Sequence, residues 1–126
     1  MSDEVRKIDL NLPVDAHINQ TAAIHASLTS TMDRARAELS NGGPSGLVVA
    51  ADFQTSGRGR YDRRWESPRK GDLLMSIGLR PTATAVGLLS VAAGLAVLQA
   101  VESMANVETT IKWPNDVRIR PVAIPL

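Results

Sequence analysis

Hydrophobic and polar positions first follow a helical period just after residue 28. Met32, Ala35 and Leu39 recur at the spacing of one helix face. Ser30 or Thr31 is a suitable N-cap, because its hydroxyl can accept a hydrogen bond from the first turn. The sequence NGGP at 41–44 ends this helix. Residues 1–24 show little periodicity, and we expect a loosely packed N-terminal lead-in there.

Three apolar runs predict β-strands. Residues 46–53, GLVVAADF, are rich in branched apolar residues and bounded by glycine, which is typical of a buried strand. Residues 72–80 alternate, and one face collects four large apolar side chains: Leu73, Met75, Ile77 and Leu79. Residues 107–116 begin with β-branched side chains and predict a strand that ends at the proline. The order of elements predicts an α+β fold with a mixed β-sheet flanked by helices.

The longest apolar segment, residues 81–101, contains no charged residue. We predict a helix at 84–105, about as long as the roughly 20 residues that cross a bilayer. Its alanines, glycines, threonines, serine and glutamine weaken membrane transfer, and Glu102 follows it directly. We therefore expect a helix buried inside a soluble domain, and no membrane partner.

Composition excludes several classes of function. With 126 residues and 44% apolar side chains, the chain fits one ordered domain or part of one. A net charge of +1 argues against a chain-wide surface for nucleic acid or anionic lipid. The absence of cysteine excludes a disulfide framework, and the N-terminus has no apolar signal region, which together favour the cytoplasm. His17 and His25 match no motif, and we expect both at the surface.

One segment departs from this near-neutral balance. QTSGRGRYDRRW, residues 54–65, contains four arginines and a single carboxylate, and the predicted strands on either side hold this loop in place. Alternating glycines let the backbone approach a ligand, while the arginines offer planar donors for carboxylate or phosphate. The tryptophan could stack on a planar ring. The spacing matches neither a Walker A loop nor a dinucleotide fingerprint, and a solvated surface loop stays an alternative interpretation.

Three blocks in order resemble the catalytic domain of biotin–protein ligases, also called biotin–[acetyl-CoA-carboxylase] ligases. They are TSTMDRA at 29–35, QTSGRGRYDRRWESPRKGDLLMSIGLRP at 54–81 and IKWPND at 111–116. The resemblance implies an α+β domain of the class II aminoacyl-tRNA synthetase-like, biotin–lipoate ligase type. It covers residues 25–117, after the lead-in at 1–24 and before an atypical tail at 118–126. We expect this catalytic domain to be incomplete, an N-terminal fragment without a helix-turn-helix domain or the family's C-terminal domain.

The resemblance also implies an ATP-dependent ligase reaction in two steps. Biotin and ATP give biotinyl-5′-AMP and pyrophosphate, and the biotinyl group then passes to a lysine of a biotin carboxyl carrier protein. The first step brings a carboxylate against a phosphate, so positive donors are needed to offset their repulsion. The implied partners are biotin, ATP with Mg²⁺ and the carrier domain, with a possible homodimer and no DNA.

Site residues follow from the matched motifs. The resemblance implies that biotin is bound by Ser30, Thr31, Met32, Gln54, Gly57, Arg58, Gly59 and Arg60. ATP is assigned to Arg58, Arg60, Trp65, Lys112, Asn115 and Asp116. The implied catalytic residues are Arg58, Arg60 and Lys112, and no metal ligand is assigned with certainty.

Two departures from the family pattern limit these expectations. Asp62 stands where the family usually has glycine, and residues 118–126 lack a family strand with the pattern G-[RK]-K-L-A-G-I. The chain is therefore expected to be weakly active or inactive by itself. Alternatives are a lipoate-ligase-like acyltransferase, or a non-catalytic module that binds anions or nucleic acid through the arginine loop.

Overall fold

The chain divides into two units, Met1–Arg80 and Pro81–Leu126. The computed structural model describes residues 4–120. In the first unit the elements are, in chain order, β1 (Val5–Asp9), β2 (Thr21–His25), α1 (Thr31–Ser40), β3 (Leu47–Ala51), β4 (Gly57–Arg58), β5 (Arg64–Trp65) and β6 (Leu74–Gly78). In the second unit a 3₁₀ turn (Val86–Leu88) leads into α2 (Leu89–Met104), β7 (Thr109–Lys112) and β8 (Asp116–Ile119).

A mixed four-stranded sheet forms the frame of the first unit, with the order β1-β2-β3-β6. The strand β2 pairs with β3 in parallel, and the two outer pairs are antiparallel. All five residues of β3 are buried, as the continuous apolar run LVVAA predicts for a central strand. The predicted helix and the strands at 46–53 and 72–80 are confirmed, and so is the α+β class.

Helix α1 packs on one face of this sheet. Its Ala35 joins Leu47 and Val49 of β3 in the buried core, with Leu28 and Leu39 packed against them. The register places Val49 beside Ser76 and Leu47 beside Gly78, and α1 lies over the face of β6 that carries Ser76 and Gly78. A Cβ on Gly78 would lie 3.0 Å from side-chain carbons of Leu39 and Leu47, so this glycine allows the close approach of helix and sheet.

The expected loosely packed lead-in is wrong where the structure describes it, because β1 and most of β2 fall within residues 1–24. Every residue of β1 is exposed, and the strand is held through pairing with β2 from Val5–His25 to Asp9–Thr21. Because β1 is held by backbone hydrogen bonds and buries none of its side chains, its sequence shows no hydrophobic period. The expectation of two surface histidines is half right: His17 is exposed, whereas His25 is 1% exposed at the end of β2.

The second unit is a helix packed on a hairpin. Residues of α2 contact β7 and β8, and a Cβ on Gly94 would lie 3.8 Å from Cδ1 of Ile111. The predicted strand at 107–116 is confirmed as β7, which ends at Lys112 before a cis Trp113–Pro114 peptide. Positions 118 and 119, expected in the atypical tail, belong to β8, and 121–126 lie outside the described residues.

Burial of α2 is much lower than expected. Gly94 is the buried residue of the helix, while Leu95, Val97 and Met104 are 49%, 51% and 87% exposed. The expectation of a buried helix is therefore wrong for the described residues, because the hairpin covers one side of α2. Among those residues, Val86–Met104 is long and apolar enough to cross a membrane by length and composition. Core helices of soluble proteins and signal sequences meet the same criterion, so this is weak support for a membrane span.

Candidate functional site

The first part of the site is the N-terminus of α1. Ser30 is its N-cap, and the Ser30 hydroxyl accepts a hydrogen bond from the Met32 backbone N–H at 3.2 Å. Ser30 and Thr31 are 2% and 4% exposed, whereas Met32 is 43% exposed. The two hydroxyl groups are therefore fixed in place at the edge of the helix, with the methionine beside them open to a ligand.

Gln54 joins this helix end to the segment that follows β3. Its side-chain Oε1 accepts a hydrogen bond from the Thr31 backbone N–H at 2.7 Å. Gln54 also forms a parallel bridge with Leu28, which aligns the two segments just outside the sheet. The Thr31 hydroxyl lies 2.8 Å from the Ser76 hydroxyl on β6. Three segments distant in sequence are thus connected through Thr31.

The arginine segment forms a small hairpin inside the loop between the strands predicted at 46–53 and 72–80. Strands β4 and β5 pair Gly57 with Trp65 and Arg58 with Arg64. The turn is closed by hydrogen bonds from Gly59 N–H to the Arg63 carbonyl and from Arg63 N–H to the Arg60 carbonyl, at 2.7 and 3.3 Å. The hairpin was not predicted, because each of its strands has two residues, too few for a recognisable hydrophobic period.

The two glycines of the GRGR motif have different surroundings. Gly57 is buried, and a Cβ there would collide with the Trp65 carbonyl oxygen and lie 2.9 Å from Gln54 Nε2. A Cβ on Gly59 would first meet the Arg63 carbonyl oxygen at 3.3 Å. Gly57 is therefore required for the close packing of the hairpin on the Gln54 amide, and Gly59 is required much less.

The hairpin lines an open, positively charged groove of about 430 Å³, formed with Ser56 and Asp62. Directly paired residues of antiparallel strands have their side chains on the same side, so Arg58 and Arg64 put like charges next to each other. The Arg58 guanidinium contacts the Asp33 carboxylate at 3.2 Å, and Arg64 donates to the Thr55 carbonyl at 3.0 Å. A bound anion would relieve the remaining repulsion between the guanidinium groups.

Arg60 and Trp65 are exposed beside this groove. The Arg60 guanidinium stacks over the Tyr61 ring at 5.2 Å. Trp65 is 57% exposed, and its indole N–H donates to the Ser67 hydroxyl at 3.0 Å. This hydrogen bond fixes one edge of the indole while leaving much of the ring accessible for stacking.

The remaining predicted residues lie in the second unit, at the β7–β8 hairpin. Lys112 ends β7 and pairs in register with Asp116, with Asn115 in the turn between them. All three are exposed. Among residues 4–120 there is no group of three or more His, Cys, Asp or Glu side chains that could hold a metal ion. Lys112, Asn115 and Asp116 therefore offer one ammonium, one amide and one carboxylate.

Glu102 stabilises the junction between α2 and this hairpin. Its carboxylate oxygen Oε1 accepts two hydrogen bonds, from the Thr109 hydroxyl at 2.7 Å and from the Thr109 backbone N–H at 2.9 Å. These bonds, the hydroxyl first, lower the pKa of Glu102. The ionised carboxylate thus anchors the first residue of β7 to the last turn of the helix.

The site residues predicted from the sequence fall into two groups, one on each unit. In the first unit the helix start, Gln54 and the arginine hairpin are connected by hydrogen bonds and close packing. Two residues in contact with this group were not assigned to it from the sequence: Asp33 and Ser76. Ser76 could have been found as the single polar side chain in the strand LMSIG.

Comparison with known proteins extends these observations. Residues 24–121 match the model of the biotin/lipoate A/B protein ligase family. The bifunctional ligase/repressor BirA of Bacillus subtilis is 39% identical over 104 residues, which are 81% of this chain and 32% of that protein. The biotin–[acetyl-CoA-carboxylase] ligase of Mycobacterium tuberculosis is 44% identical over 81 residues, 60% of this chain and 30% of that protein. The chain thus spans about a third of the length of these relatives.

Two solved structures that resemble this chain are named for biotin ligation. The biotin protein ligase of Leishmania major, in complex with biotin, has a TM-score of 0.67 and 31% identity, covering 76% of this chain and 45% of that one. The biotin acetyl coenzyme A carboxylase synthetase of Helicobacter pylori, with bound biotinylated ATP, has a TM-score of 0.58 and 26% identity, covering 75% and 47%. The family model matches most of the length of this chain, so the chain belongs to the biotin/lipoate A/B protein ligase family.

Proposed function

We propose that the chain is part of a biotin–protein ligase that activates biotin with ATP and transfers it to a lysine of a carboxyl carrier protein. The observation that supports this best is the connection of the Ser30–Thr31 helix start, the Gln54 amide and the arginine hairpin in the first unit. Each lies at a position that the family resemblance assigns to the biotin and adenylate sites. We choose biotin as the substrate because the relatives are named biotin ligases.

The polar end of biotin fits the groups around Thr31. A ureido ring needs both acceptors and donors, which the Ser30 and Thr31 hydroxyls and the Gln54 amide can supply. Because Oε1 of Gln54 accepts from Thr31, its Nε2 is the atom that donates toward the ligand. Met32, exposed at the helix start, provides an apolar contact for the ring system.

The arginine hairpin addresses the electrostatic difficulty of activation. A biotin carboxylate oxygen attacks the α-phosphorus of ATP, and the bond from that phosphorus to the pyrophosphate oxygen breaks. Two anions must therefore meet, and guanidinium groups of Arg58 and Arg60 beside the groove offset their repulsion. The hairpin keeps these donors within a few residues of each other, so little reorganisation is needed during the reaction.

We assign the nucleotide to the residues that the family resemblance implies. The exposed Trp65 ring offers a face for adenine, and Lys112 offers an ammonium for the phosphates. Mg²⁺ accompanies ATP and is held mostly by phosphates and water, so the single carboxylate of Asp116 with the Asn115 amide is a sufficient protein contribution. When bound, the ion would neutralise phosphate charge.

The second step passes the biotinyl group to an acceptor. The lysine amine of the carrier domain attacks the acyl carbon of biotinyl-5′-AMP, and AMP leaves. We assign this activity to the cytoplasm. Repression is an activity in the name of the Bacillus subtilis relative and is not part of the proposal for this chain.

Biotin-dependent exchange of radiolabelled pyrophosphate into ATP tests the proposal. Because the chain spans about a third of the length of its relatives, we expect weak exchange with biotin and stronger exchange in a chain extended with the family's G-[RK]-K-L-A-G-I strand. We also expect little exchange with lipoate and loss of exchange in Arg58→Ala. Transfer to a carrier domain is then followed by streptavidin blotting. Better exchange with lipoate than with biotin would favour the lipoate-ligase alternative, and the absence of both exchange and biotin binding would refute the assignment.

A further inference from the structure

We propose that Asp33 is a positioning residue, which holds the Arg58 guanidinium over the ligand groove. This inference rests on the proposed function, since it presumes that Arg58 faces the anionic part of the substrate. Asp33 lies in the first turn of α1 and Arg58 lies on β4, so their ion pair joins two elements that are distant in sequence. The Nη2–Oδ2 distance is 3.2 Å.

The arrangement around Arg58 explains why such an anchor is needed. Arg64 is its direct partner across the hairpin, and two like charges on the same face of a strand pair repel each other. The side chain of Arg58 is 58% exposed, so solvent alone would leave it in many rotamers. Asp33, with a side chain 32% exposed, supplies the nearby negative charge that selects one of them.

Anchoring leaves Arg58 able to bind a ligand. A guanidinium has five N–H donors in a planar fork, and the contact with Asp33 involves Nη2. The guanidinium nitrogens Nε and Nη1 lie outside this contact and carry further N–H donors, and Arg58 lines the groove. A side chain already held in its bound orientation loses less freedom when the ligand arrives.

A purely local role for Asp33 makes different predictions. An acidic residue in the first turn also stabilises a helix through its dipole and its capping groups. Loss of that effect would lower helix stability whether or not Arg58 is present. A double-mutant cycle separates the two roles, because positioning through Arg58 disappears when Arg58 is removed.

The matched variants are Asp33→Asn and Glu38→Gln, two carboxylate-to-amide changes on α1. Glu38 pairs with Arg34 on the same helix at 2.8 Å, and it does not line the groove. Calorimetric titration with biotin is carried out on the wild type, both variants, Arg58→Ala and Asp33→Asn/Arg58→Ala. For a half-exposed ion pair we expect Asp33→Asn to weaken biotin binding about two- to five-fold, with no further loss in the Arg58→Ala background. Glu38→Gln should bind as the wild type does.

A ligand-free measurement keeps this inference distinct from the proposed function. Without its tether the hairpin should open more often, so trypsin should cut after the arginines of residues 58–64 faster in Asp33→Asn than in Glu38→Gln. Equal cleavage rates in the two variants would overturn the tether. Equal losses of affinity from Asp33→Asn with and without Arg58 would overturn the positioning role. Failure of the wild type to bind biotin would instead refute the proposed function, while the cleavage comparison still tests the tether.

Discussion

Replacement of Gly57 by alanine is the sharpest test of how the hairpin is packed. The added Cβ would collide with the carbonyl oxygen of Trp65, the residue paired with Gly57 across the strands. It would also lie 2.9 Å from Nε2 of Gln54. The carbonyl is backbone and cannot rotate away, so either the β4–β5 pairing opens or the Gln54 amide moves away from Thr31.

The expected size follows from the cost of overpacking, about 1–3 kcal/mol. The hairpin pairs two residues on each side and contributes none to the buried core around Ala35. The chain therefore relieves the clash by local opening, and the cost falls on ligand binding. At about 1.4 kcal/mol for each factor of ten, we expect the dissociation constant for biotin to rise about ten-fold or more. The melting temperature should change by only a few degrees.

Gly59→Ala is the matched control, because it introduces the same methyl group two residues away in the same motif. Its nearest contact would be the Arg63 carbonyl oxygen at 3.3 Å, which a small shift accommodates. We expect a change in biotin affinity of less than about three-fold. A larger loss in Gly59→Ala than in Gly57→Ala, or wild-type affinity in Gly57→Ala, would refute the steric argument.

Three further predictions concern other contacts. Asp62 has a φ of 58°, so Asp62→Gly should keep the hairpin and Asp62→Val should destabilise it by about 1–3 kcal/mol, measured by tryptic cleavage. Ser76→Ala removes the partner of the buried Thr31 hydroxyl and should lower the unfolding free energy by about 1–3 kcal/mol, measured by urea unfolding. Hydrogen bonds from Thr109 lower the pKa of Glu102 below its ordinary 4.5, so their stabilisation is present above that pH and lost as pH falls through the folded pKa. The melting-temperature difference between wild type and Glu102→Gln should shrink over the same acid range.

The Glu102 prediction has a matched control, and each of the three predictions has a contradicting result. Glu108→Gln removes the exposed partner of Arg120 and should change the melting temperature little at any pH, since exposed ion pairs contribute little. A difference for Glu102→Gln that does not depend on pH would contradict the role of its charge. Unchanged stability in Ser76→Ala, or equal cleavage of the glycine and valine variants at position 62, would contradict the other two.

Much of the fold was predictable because its signals are local. The cap at Ser30 and the apolar run of β3 are each determined by a few adjacent residues, and the structure confirms both. The edge strand β1 was not predictable in this way. All its side chains are exposed, so the sequence VRKID has no buried face, and its pairing with β2 depends on backbone groups. The same holds for the two-residue strands of the arginine hairpin.

The apolar helix α2 shows a different limit. Its composition predicted burial on all sides, but composition does not specify which elements are available to cover each side. Within its unit the helix packs on one hairpin, and Leu95 and Val97 remain about half exposed. The motifs assigned the candidate site residues, and that assignment stays a prediction. Asp33 and Ser76 were not among them, because their roles depend on contacts with Arg58 and Thr31 that no short pattern records.

The hydrogen bonds of Thr31 have a consequence for how the protein is handled. Its backbone and hydroxyl connect α1 to the segment after β3 and to β6, so the ligand groups converge only when the sheet is assembled. Ligand binding and folding are then one linked equilibrium. A ligand at 100 times its dissociation constant would add about 2.7 kcal/mol to the free energy of unfolding. Growth and purification with excess biotin should therefore raise the yield of folded chain.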